Sequence, residues 1–534
     1  MKRCAAILAL GLSYFLINGS ARAQTQPLAK QAEDAMLKAT RFMVEEVSTE
    51  GGYVWFYTTD LSRRWGEMEA YKSMIWIQDG GTVTAGHTLL DAYRVTGNEY
   101  FYESAAKAAS ALIKGQSKEG GWNYMIDFAG EASLKNWYNT IGKNGWRLEE
   151  FQHYYGNDTY DDDVTSDAAR FLLKMYMQKK DIKYKQALDK AINFILRSQY
   201  PNGGWPQRYP LMSGFSKAGF PDYSSYYTFN DSVIWENINF LIQCYQVLGE
   251  ERFLDPIRRG MDFYLLSQQP NGAWGQQYNM NMEPASARTY EPAALLPGTT
   301  AENCSLLLRF YQYTGDRKYL AHIPDAITWL EKVRLPEAMT SDGRYTHPLY
   351  VELKTDRALF VHRKGSNVKY GYYYSDYNDE NHLAHMHGKR SVNIASLKDE
   401  FARVSALSPG LVTRNSPLKN KQPEQSSPEF YFSLTRGWNN NISVTEERVK
   451  DIISSLDSKN RWLVKHVSIS NPYIGDGQKM EPTNEYASTF VGDETDTSPF
   501  RDTSERTYIS TPAYIRNMSL LTQYLSSVSK AAQN

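Results

Sequence analysis

The chain has 534 residues, of which 42% are hydrophobic and 22% charged, and its formal net charge is -1. A sequence of this length and apolar content can bury a large core, which excludes a chain that is disordered throughout. The near-zero charge gives no reason to expect binding to nucleic acid or to an anionic membrane, so any anion has to be recognised by a local cluster. Tyrosine outnumbers phenylalanine by 39 to 21, which suits half-exposed surfaces that bind sugars, although tyrosine is also common in cores.

Residues 1–23 have the composition of a secretory signal peptide. Two basic residues precede an apolar run over 5–17, and a tripeptide Ala-Arg-Ala ends at residue 23. The apolar run is too short to cross a membrane, and no later segment is apolar enough. We therefore predict an exported protein, periplasmic or secreted, that starts near Gln24, does not bind a membrane and acts as a monomer.

Three segments share one pattern, in which an amphipathic helix is followed by a glutamine and by a turn with glycine and tryptophan. The turns are Gly120-Gly121-Trp122, Gly203-Gly204-Trp205 and Gly272-Ala273-Trp274. A second type of helix alternates with these and opens on Ser, Thr, Asp or Asn, as an N-cap would, near residues 82, 164, 229, 299 and 509. Paired helices that recur in this way predict a repeat of helical hairpins.

We expect these hairpins to form an all-α fold, an α/α toroid that is an incomplete α/α barrel, with short irregular or β elements. Closure is favoured over an open solenoid because the loops between hairpins are long and rich in aromatic and charged residues. The catalytic toroid is expected over 24–360. Residues 361–440 lose the period and are expected to form an irregular Tyr- and Pro-rich loop region or a small lobe, and 441–534 to supply C-terminal helices that pack on the toroid.

The loops that open two of the inner helices are unusually acidic. One carries five aspartates, Asp158, Asp161, Asp162, Asp163 and Asp167, and the equivalent loop of the next repeat carries Asn230 and Asp231. A carboxylate at a helix N-terminus can be a simple cap. Five within ten residues exceed what a cap needs, and a hard cation such as Ca²⁺ would relieve their repulsion.

Arginines follow in later loops, each beside Trp or Tyr or close to one: Arg208, Arg288, Arg344 and Arg357. A loop arginine is usually solvated or pairs with a surface carboxylate. Several arginines that face one groove would instead bind a polymer with planar carboxylates, because guanidinium forks onto carboxylate.

The loop that contains Trp205 is expected to reach this groove. After the tight Gly203-Gly204 turn, Gln207 and Arg208 would point toward the substrate, as would Asn230 in the neighbouring loop. Trp205 would contact a sugar face or pack inside the protein, and its recurrence at Trp122 and Trp274 favours packing.

Four stretches, NGGWPQRYP, YTFND, ARTYEPAAL and DRALF, resemble family 10 of the polysaccharide lyases, the pectic acid lyases that cleave polygalacturonate. The resemblance covers about residues 35–360 and is most specific in NGGWPQ and FND. It implies an α/α toroid with a Ca²⁺-dependent groove and an acidic polysaccharide as the partner. The sequence departs from the family where SVI follows FND, where Ala358 replaces a proline after Arg357, and where DDDVT replaces a more neutral run.

The resemblance also implies roles for single residues. Asp161 and Asp231 would bind the metal, with Asp162 or Asp163 as alternatives to Asp161. Arg288 would be the catalytic base, and Arg344 and Arg357 would bind substrate.

The reaction implied is β-elimination, in which loss of the C5 proton and of the O4 leaving group produces a 4,5-unsaturated sugar without water. Because guanidinium normally stays protonated, we expect nearby positive charge to lower the pKa of Arg288 and activity to rise above neutral pH.

Two other functions remain open. An α/α-barrel glycoside hydrolase would use a pair of carboxylates, such as Asp161 and Asp231, as acid and base. A non-catalytic secreted glycan-binding protein would use the aromatic loops alone.

Overall fold

The computed structural model describes residues 27–145, 148–212, 216–217, 220–340, 343–365, 371–383, 388–419, 444–470 and 499–533, so the predicted signal peptide lies outside the described residues. The α-helices are α1 Leu28–Phe42, α2 Thr82–Thr96, α3 Glu99–Gly115, α4 Glu131–Thr140, α5 Val164–Lys179, α6 Ile182–Ser198, α7 Val233–Leu248, α8 Leu254–Ser267, α9 Pro297–Thr314, α10 Lys318–Ala321, α11 Ile323–Lys332, α12 Ile394–Ser405, α13 Pro409–Val412, α14 Glu446–Ser454 and α15 Thr511–Gln533.

Short strands lie in the connections between helices. They are β1 Phe56–Thr58, β2 Arg64–Trp65, β3 Met74–Trp76, β4 Met125–Asp127, β5 Asp158–Thr159, β6 Arg208–Tyr209, β7 Ser216–Lys217, β8 Phe220–Pro221, β9 Tyr227–Thr228, β10 Gln277–Tyr278, β11 Ala294–Leu295, β12 His347–Pro348, β13 Tyr350–Glu352, β14 Ala358–Lys364, β15 Tyr372–Asp376, β16 Lys389–Arg390, β17 Leu463–Val464, β18 Ser468–Ser470, β19 Pro499–Arg501 and β20 Tyr508–Ser510.

Helical hairpins form the body of the protein. α2 packs on α3, α5 on α6, α7 on α8 and α9 on α11, while α2, α5 and α7 also pack on one another in that order. A further pair comes from α1 and α15, which are distant in sequence, and α15 continues the array by packing on α2. The predicted fold, an incomplete α/α toroid of helical hairpins, is confirmed.

The two helices of a hairpin differ in burial. α2, α5 and α7 are buried along most of their length, whereas α3, α6 and α8 bury one face and expose the other. The amphipathic sequences of α3, α6 and α8 therefore form an outer layer, and the more uniformly buried helices form the inner one. The described helices include none that is long and apolar enough to span a membrane.

A glutamine at the end of each of three outer helices joins one hairpin to the next. Its side-chain amide donates to a carbonyl of its own turn and to a carbonyl at or near the start of the next outer helix. The pairs are Gln116 with Gly120 (2.8 Å) and Ala187 (2.9 Å), Gln199 with Gly203 (3.0 Å) and Pro256 (2.9 Å), and Gln268 with Gly272 (2.8 Å) and His322 (3.0 Å). Each hairpin is thus held to its neighbour by a repeated pair of hydrogen bonds.

The first glycine of each of these turns is needed for two reasons. Gly120, Gly203 and Gly272 have φ of 110°, 99° and 92°, which side chains rarely adopt. They also touch the next outer helix, since a Cβ on Gly203 would lie 2.0 Å from the carbonyl oxygen of Arg259 in α8.

The tryptophan of each turn packs inside its own hairpin. Trp122, Trp205 and Trp274 are at most 1% exposed, and each donates its ring N–H at 2.9 Å to a carbonyl ten residues earlier. Of the two roles considered for Trp205, the structure shows packing and not contact with a sugar, because its ring is enclosed by the core and its ring N–H is already bonded.

A small antiparallel sheet in the order β11-β13-β14-β15 follows the last hairpin. It has a small apolar cluster of its own, and β14 crosses the expected domain boundary at residue 360. After it, α12 and α13 pack on α9, and α14 contacts α1 and α15.

Gly203→Ala is expected to lower the free energy of unfolding by about 3 kcal/mol or more, because the new Cβ meets backbone and the φ is unfavourable. Gly97→Ala is the matched control, since Gly97 also has a positive φ (71°) but no atom within 4 Å of the new Cβ, and should lose only about 1 kcal/mol. Urea denaturation of both variants measures the difference. Equal losses would show that contact with α8 does not matter.

Candidate active site

Two equivalent turns lie side by side at the start of the inner helices α5 and α7. Each is a single 3-10 turn, over Asp161–Asp163 and Asn230–Ser232, and the two turns pack on each other. Asp162 and Asp231 are the middle residues and share a left-handed backbone with φ of 48° and 49°. Aspartate tolerates this conformation better than most residues, and the shared geometry makes Asp162, rather than Asp161, the counterpart of Asp231.

Asp161 is fully buried and both of its carboxylate oxygens are engaged. Tyr124 donates its hydroxyl to Oδ2 at 2.6 Å, Arg288 donates to the same oxygen at 2.9 Å, and Gln207 donates to Oδ1 at 2.9 Å. Burial alone would raise the pKa of Asp161, but Arg288 and the hydrogen bonds outweigh it and hold the pKa below its usual value. Asp161 is therefore ionised and serves as an anchor for its neighbours.

Arg288 is surrounded by carboxylates. Its guanidinium donates to Glu150 at 3.0 Å and to Asp161 at 2.9 Å, and lies 3.5 Å from Glu291, whose other oxygen accepts the backbone N–H of Arg288. Burial lowers the pKa of Arg288, but these negative groups have the larger, opposite effect, so the pKa lies well above its usual value. The expectation that positive neighbours lower this pKa is wrong for the described residues.

Asp162 and Asp231 lie on the exposed side of the same cluster. Asp162 accepts a hydrogen bond from Gln78 at 2.6 Å, and Asp231 accepts one from Asn230 at 2.6 Å. The surrounding protein displaces water, and Asp161 adds negative charge, so the pKa of Asp162 is raised to about 6 and that of Asp231 well above its usual value. Loss of water is the larger cause of both shifts, and the negative charge of Asp161 adds to it.

The other predicted site residues divide into two groups. Gln207 and Asn230 belong to the cluster through the bonds to Asp161 and Asp231, and Arg208 is buried beside Tyr124. Arg344 and Arg357 are instead exposed and rest against tyrosine rings, with the guanidinium carbon 5.2 Å from the centre of Tyr345 and 3.4 Å from that of Tyr377. Their positions on exposed turns set them apart from the buried carboxylates around Arg288.

Sequence analysis missed several members of the cluster: Gln78, Tyr124, Glu150 and Glu291. Glu291 follows Arg288 by three residues, so its spacing in ARTYE could have pointed to it. Glu150 and Tyr124 come from loops 138 and 164 residues before Arg288, and nothing in their local sequence marks them.

The cluster fits a divalent cation only in part. Five carboxylates, those of Glu150, Asp161, Asp162, Asp231 and Glu291, are opposed by Arg288. Asp162 and Asp231 face outward with raised pKa values, as carboxylates that lack a counter-charge do. Among the described residues, however, no group of three or more His, Cys, Asp or Glu is arranged to hold a metal ion. A calcium ion here would need further oxygen ligands from substrate or water.

A family model described as pectic acid lyase matches residues 132–400, half of the chain. The chain belongs to the pectic acid lyase family. The matched range contains most of the cluster, namely Glu150, Asp161, Asp162, Asp231, Arg288 and Glu291. The predicted resemblance to the pectic acid lyases is confirmed.

Solved structures similar to this pectic acid lyase family member include other carbohydrate enzymes. One is a mutant family 10 polysaccharide lyase from Cellvibrio cellulosa in complex with trigalacturonic acid, 20% identical over 51% of this chain and 86% of that chain, with a TM-score of 0.35. Another is the cellobiose 2-epimerase from Bacillus thermoamylovorans B4167, 12% identical over 94% of this chain and 98% of that chain, with a TM-score of 0.41. No curated protein matches the chain.

Asp161→Asn is expected to destabilise the protein by about 3 kcal/mol, because it leaves the buried Arg288 with one carboxylate fewer. Asp162→Asn is the control at the adjacent position and should not destabilise. The raised pKa of Asp162 means that the folded protein binds this proton more tightly than the unfolded chain, so ionisation above about pH 6 works against folding. The melting temperature of Asp162→Asn relative to the parent should therefore be higher at pH 7 than at pH 4. Equal losses in the two variants would contradict this account.

Proposed function

We propose that this protein is a pectate lyase that cleaves polygalacturonate by β-elimination and releases 4,5-unsaturated products. The observation that carries the proposal is that residues 132–400, which match the pectic acid lyase model, include the buried cluster of Arg288 with acidic groups. In support of catalysis there, the cluster combines charged groups, burial and shifted pKa values, which is common at active sites.

The difficulty of the reaction is electrostatic. The C5 proton lies α to a carboxylate, so its removal adds a second negative charge to a group that is already anionic. The cluster itself is acidic and would repel a polyuronate unless positive charge were supplied. A calcium ion, when bound, would supply that charge, and Asp162 and Asp231 are the residues we propose to hold it.

Arg288 is the proposed base, but its partners oppose that role in the absence of substrate. Glu150, Asp161 and Glu291 favour the charged guanidinium, which has no lone pair to accept the C5 proton. Arg288 can act as the base only where positive charge in the site outweighs these carboxylates, because the uronate carboxylate also favours the charged guanidinium. If it stays charged instead, it binds the uronate carboxylate and stabilises the charge that develops on it.

The raised pKa values of Asp162 and Asp231 also support a second candidate, a glycoside hydrolase that uses this carboxylate pair as acid and base. The two reactions differ in their products. A hydrolase produces reducing ends without an unsaturated sugar, and a lyase produces one absorbing double bond with each new reducing end.

Incubation with polygalacturonate is expected to produce ultraviolet absorbance from the unsaturated product, and EDTA should abolish it. Arg288→Ala should lower kcat by at least about 10³-fold, since it removes either the base or the main stabilising charge. Arg288→Lys keeps a positive charge but loses the guanidinium fork, so the rate it retains measures how far the reaction depends on the guanidinium itself. Arg197→Ala is the control, since Arg197 is exposed and pairs with Glu119 on the surface. Reducing ends without absorbance would favour the hydrolase.

Activity is expected to fall as the pH drops through about 6. Asp162 is protonated below this value, and a protonated carboxyl is a poor ligand for a cation. The profile of kcat/KM between pH 5 and 10 tests this, and Asp162→Asn should lose this acidic limb. A profile with its maximum near pH 5 would contradict the proposal and would favour acid catalysis by the carboxylate pair.

A further inference from the structure

Arg208 is a buried cation without an anionic partner among the described residues. It is 2% exposed, and its Nη2 has no hydrogen-bond partner in the part of the chain that the structure describes. Its Nη1 lies at the limit of hydrogen-bond distance, 3.4 Å from Oδ1 of Asn123 and 3.5 Å from Oδ1 of Asn157. A charged group that is removed from water in this way is costly unless something compensates it.

Asp158 interacts electrostatically with this charge but forms no ion pair with it in the described part of the chain. Asp158 lies on β5, which pairs with the strand of Arg208, but its carboxylate accepts a hydrogen bond from Ser117. The described part of the chain contains no carboxylate within 4.0 Å of the Arg208 guanidinium. This contrasts with Arg288, which has three carboxylates within 3.5 Å.

Aromatic rings cover the faces of the guanidinium. Its central carbon lies 4.3 Å from the ring centre of Tyr155 and 5.2 Å from that of Tyr124. Cation–π contact partly stabilises the charge, but within the described residues it leaves the N–H groups of Nη2, in the plane of the guanidinium, without an acceptor. A ligand therefore has to approach in that plane, and a carboxylate is the anion whose two oxygens match paired N–H donors.

Arg208 lies directly beside the candidate active site. The same Tyr124 that contacts its guanidinium donates a hydrogen bond to Asp161, and the preceding residue, Gln207, donates another. Polygalacturonate carries one carboxylate on every sugar. A chain bound at the candidate site therefore presents further carboxylates on the sugars beside the one that reacts.

We propose that Arg208 and its flanking tyrosines form a second uronate subsite, which binds the carboxylate of a sugar adjacent to the one that reacts. The inference rests on the proposed function, since it takes the same polymer as substrate. Because Arg208 is enclosed, a neighbouring ring such as Tyr155, itself 7% exposed, has to turn aside when the sugar enters. The unpaired charge is then a cost to the free protein that the substrate relieves.

Calorimetric titration with trigalacturonate in the presence of Ca²⁺ tests the proposal, with Arg288→Ala added to each protein for the titration so that turnover is prevented. Arg208→Met removes the charge and keeps an apolar side chain of similar length among the tyrosines, and Arg197→Met is the matched surface control. We expect Arg208→Met to weaken binding at least about tenfold and to melt at the same temperature as the parent or higher, because an unpaired buried charge has been removed. The trimethyl ester of trigalacturonate should bind the parent weakly and should not distinguish it from Arg208→Met.

Unchanged affinity in Arg208→Met would overturn the subsite. A clear fall in the melting temperature of Arg208→Met would also overturn it, because the charge would then have a structural role. In that case Arg208→Lys, which keeps the charge, should melt close to the parent. The two proposals fail separately. Loss of trigalacturonate binding in Arg208→Met, without any lyase product from the parent, refutes the proposed function and keeps the subsite. Lyase product from the parent, together with equal binding of trigalacturonate by the parent and Arg208→Met, supports the proposed function and refutes the subsite.

Discussion

A single amide shared between two hairpins is the contact on which the order of the toroid depends. Gln116, Gln199 and Gln268 each satisfy a carbonyl in their own turn and one at or near the start of the next outer helix, so that neither half of the contact can shift alone. The glycine beside each amide allows the turn to lie directly on backbone. Because this unit recurs with nearly constant distances, successive hairpins keep one orientation and the loops that open the inner helices meet at one place.

The candidate site follows from that alignment. Two inner helices with the same left-handed entry turn bring Asp162 and Asp231 side by side, although they are 69 residues apart. A repeat that stabilises the fold thus duplicates an acidic position, and loss of water together with the charge of Asp161 raises both pKa values. Arg288, from a later loop, neutralises the buried part of the cluster and leaves the exposed part short of positive charge. Such an arrangement suits a site completed by a ligand and not by the protein alone.

Periodicity was sufficient to predict the helices, their pairing and the acidic turns, because these depend on local sequence. It could not predict the partners of Arg288, since Glu150 approaches only through the fold and reverses the expected direction of the pKa shift. The sheet formed by β13, β14 and β15 was also missed, because its Tyr-rich strands lack a clear alternation of polar and apolar residues. The tryptophans were ambiguous for another reason: only coordinates show that each ring N–H bonds to the helix before it.

The pairing of α1 with α15 has a consequence for how the protein is made. The apolar face of α1, with Ala32, Met36 and Ala39, is buried, and Thr40 shares a hydrogen bond of 2.7 Å with Tyr514 of α15. α1 leaves the ribosome early and α15 more than 450 residues later, so the face of α1 that packs on α15 stays without this partner while the helices between them are made. The hairpins can form one by one, but the pair of α1 and α15 can form only after α15 has been made.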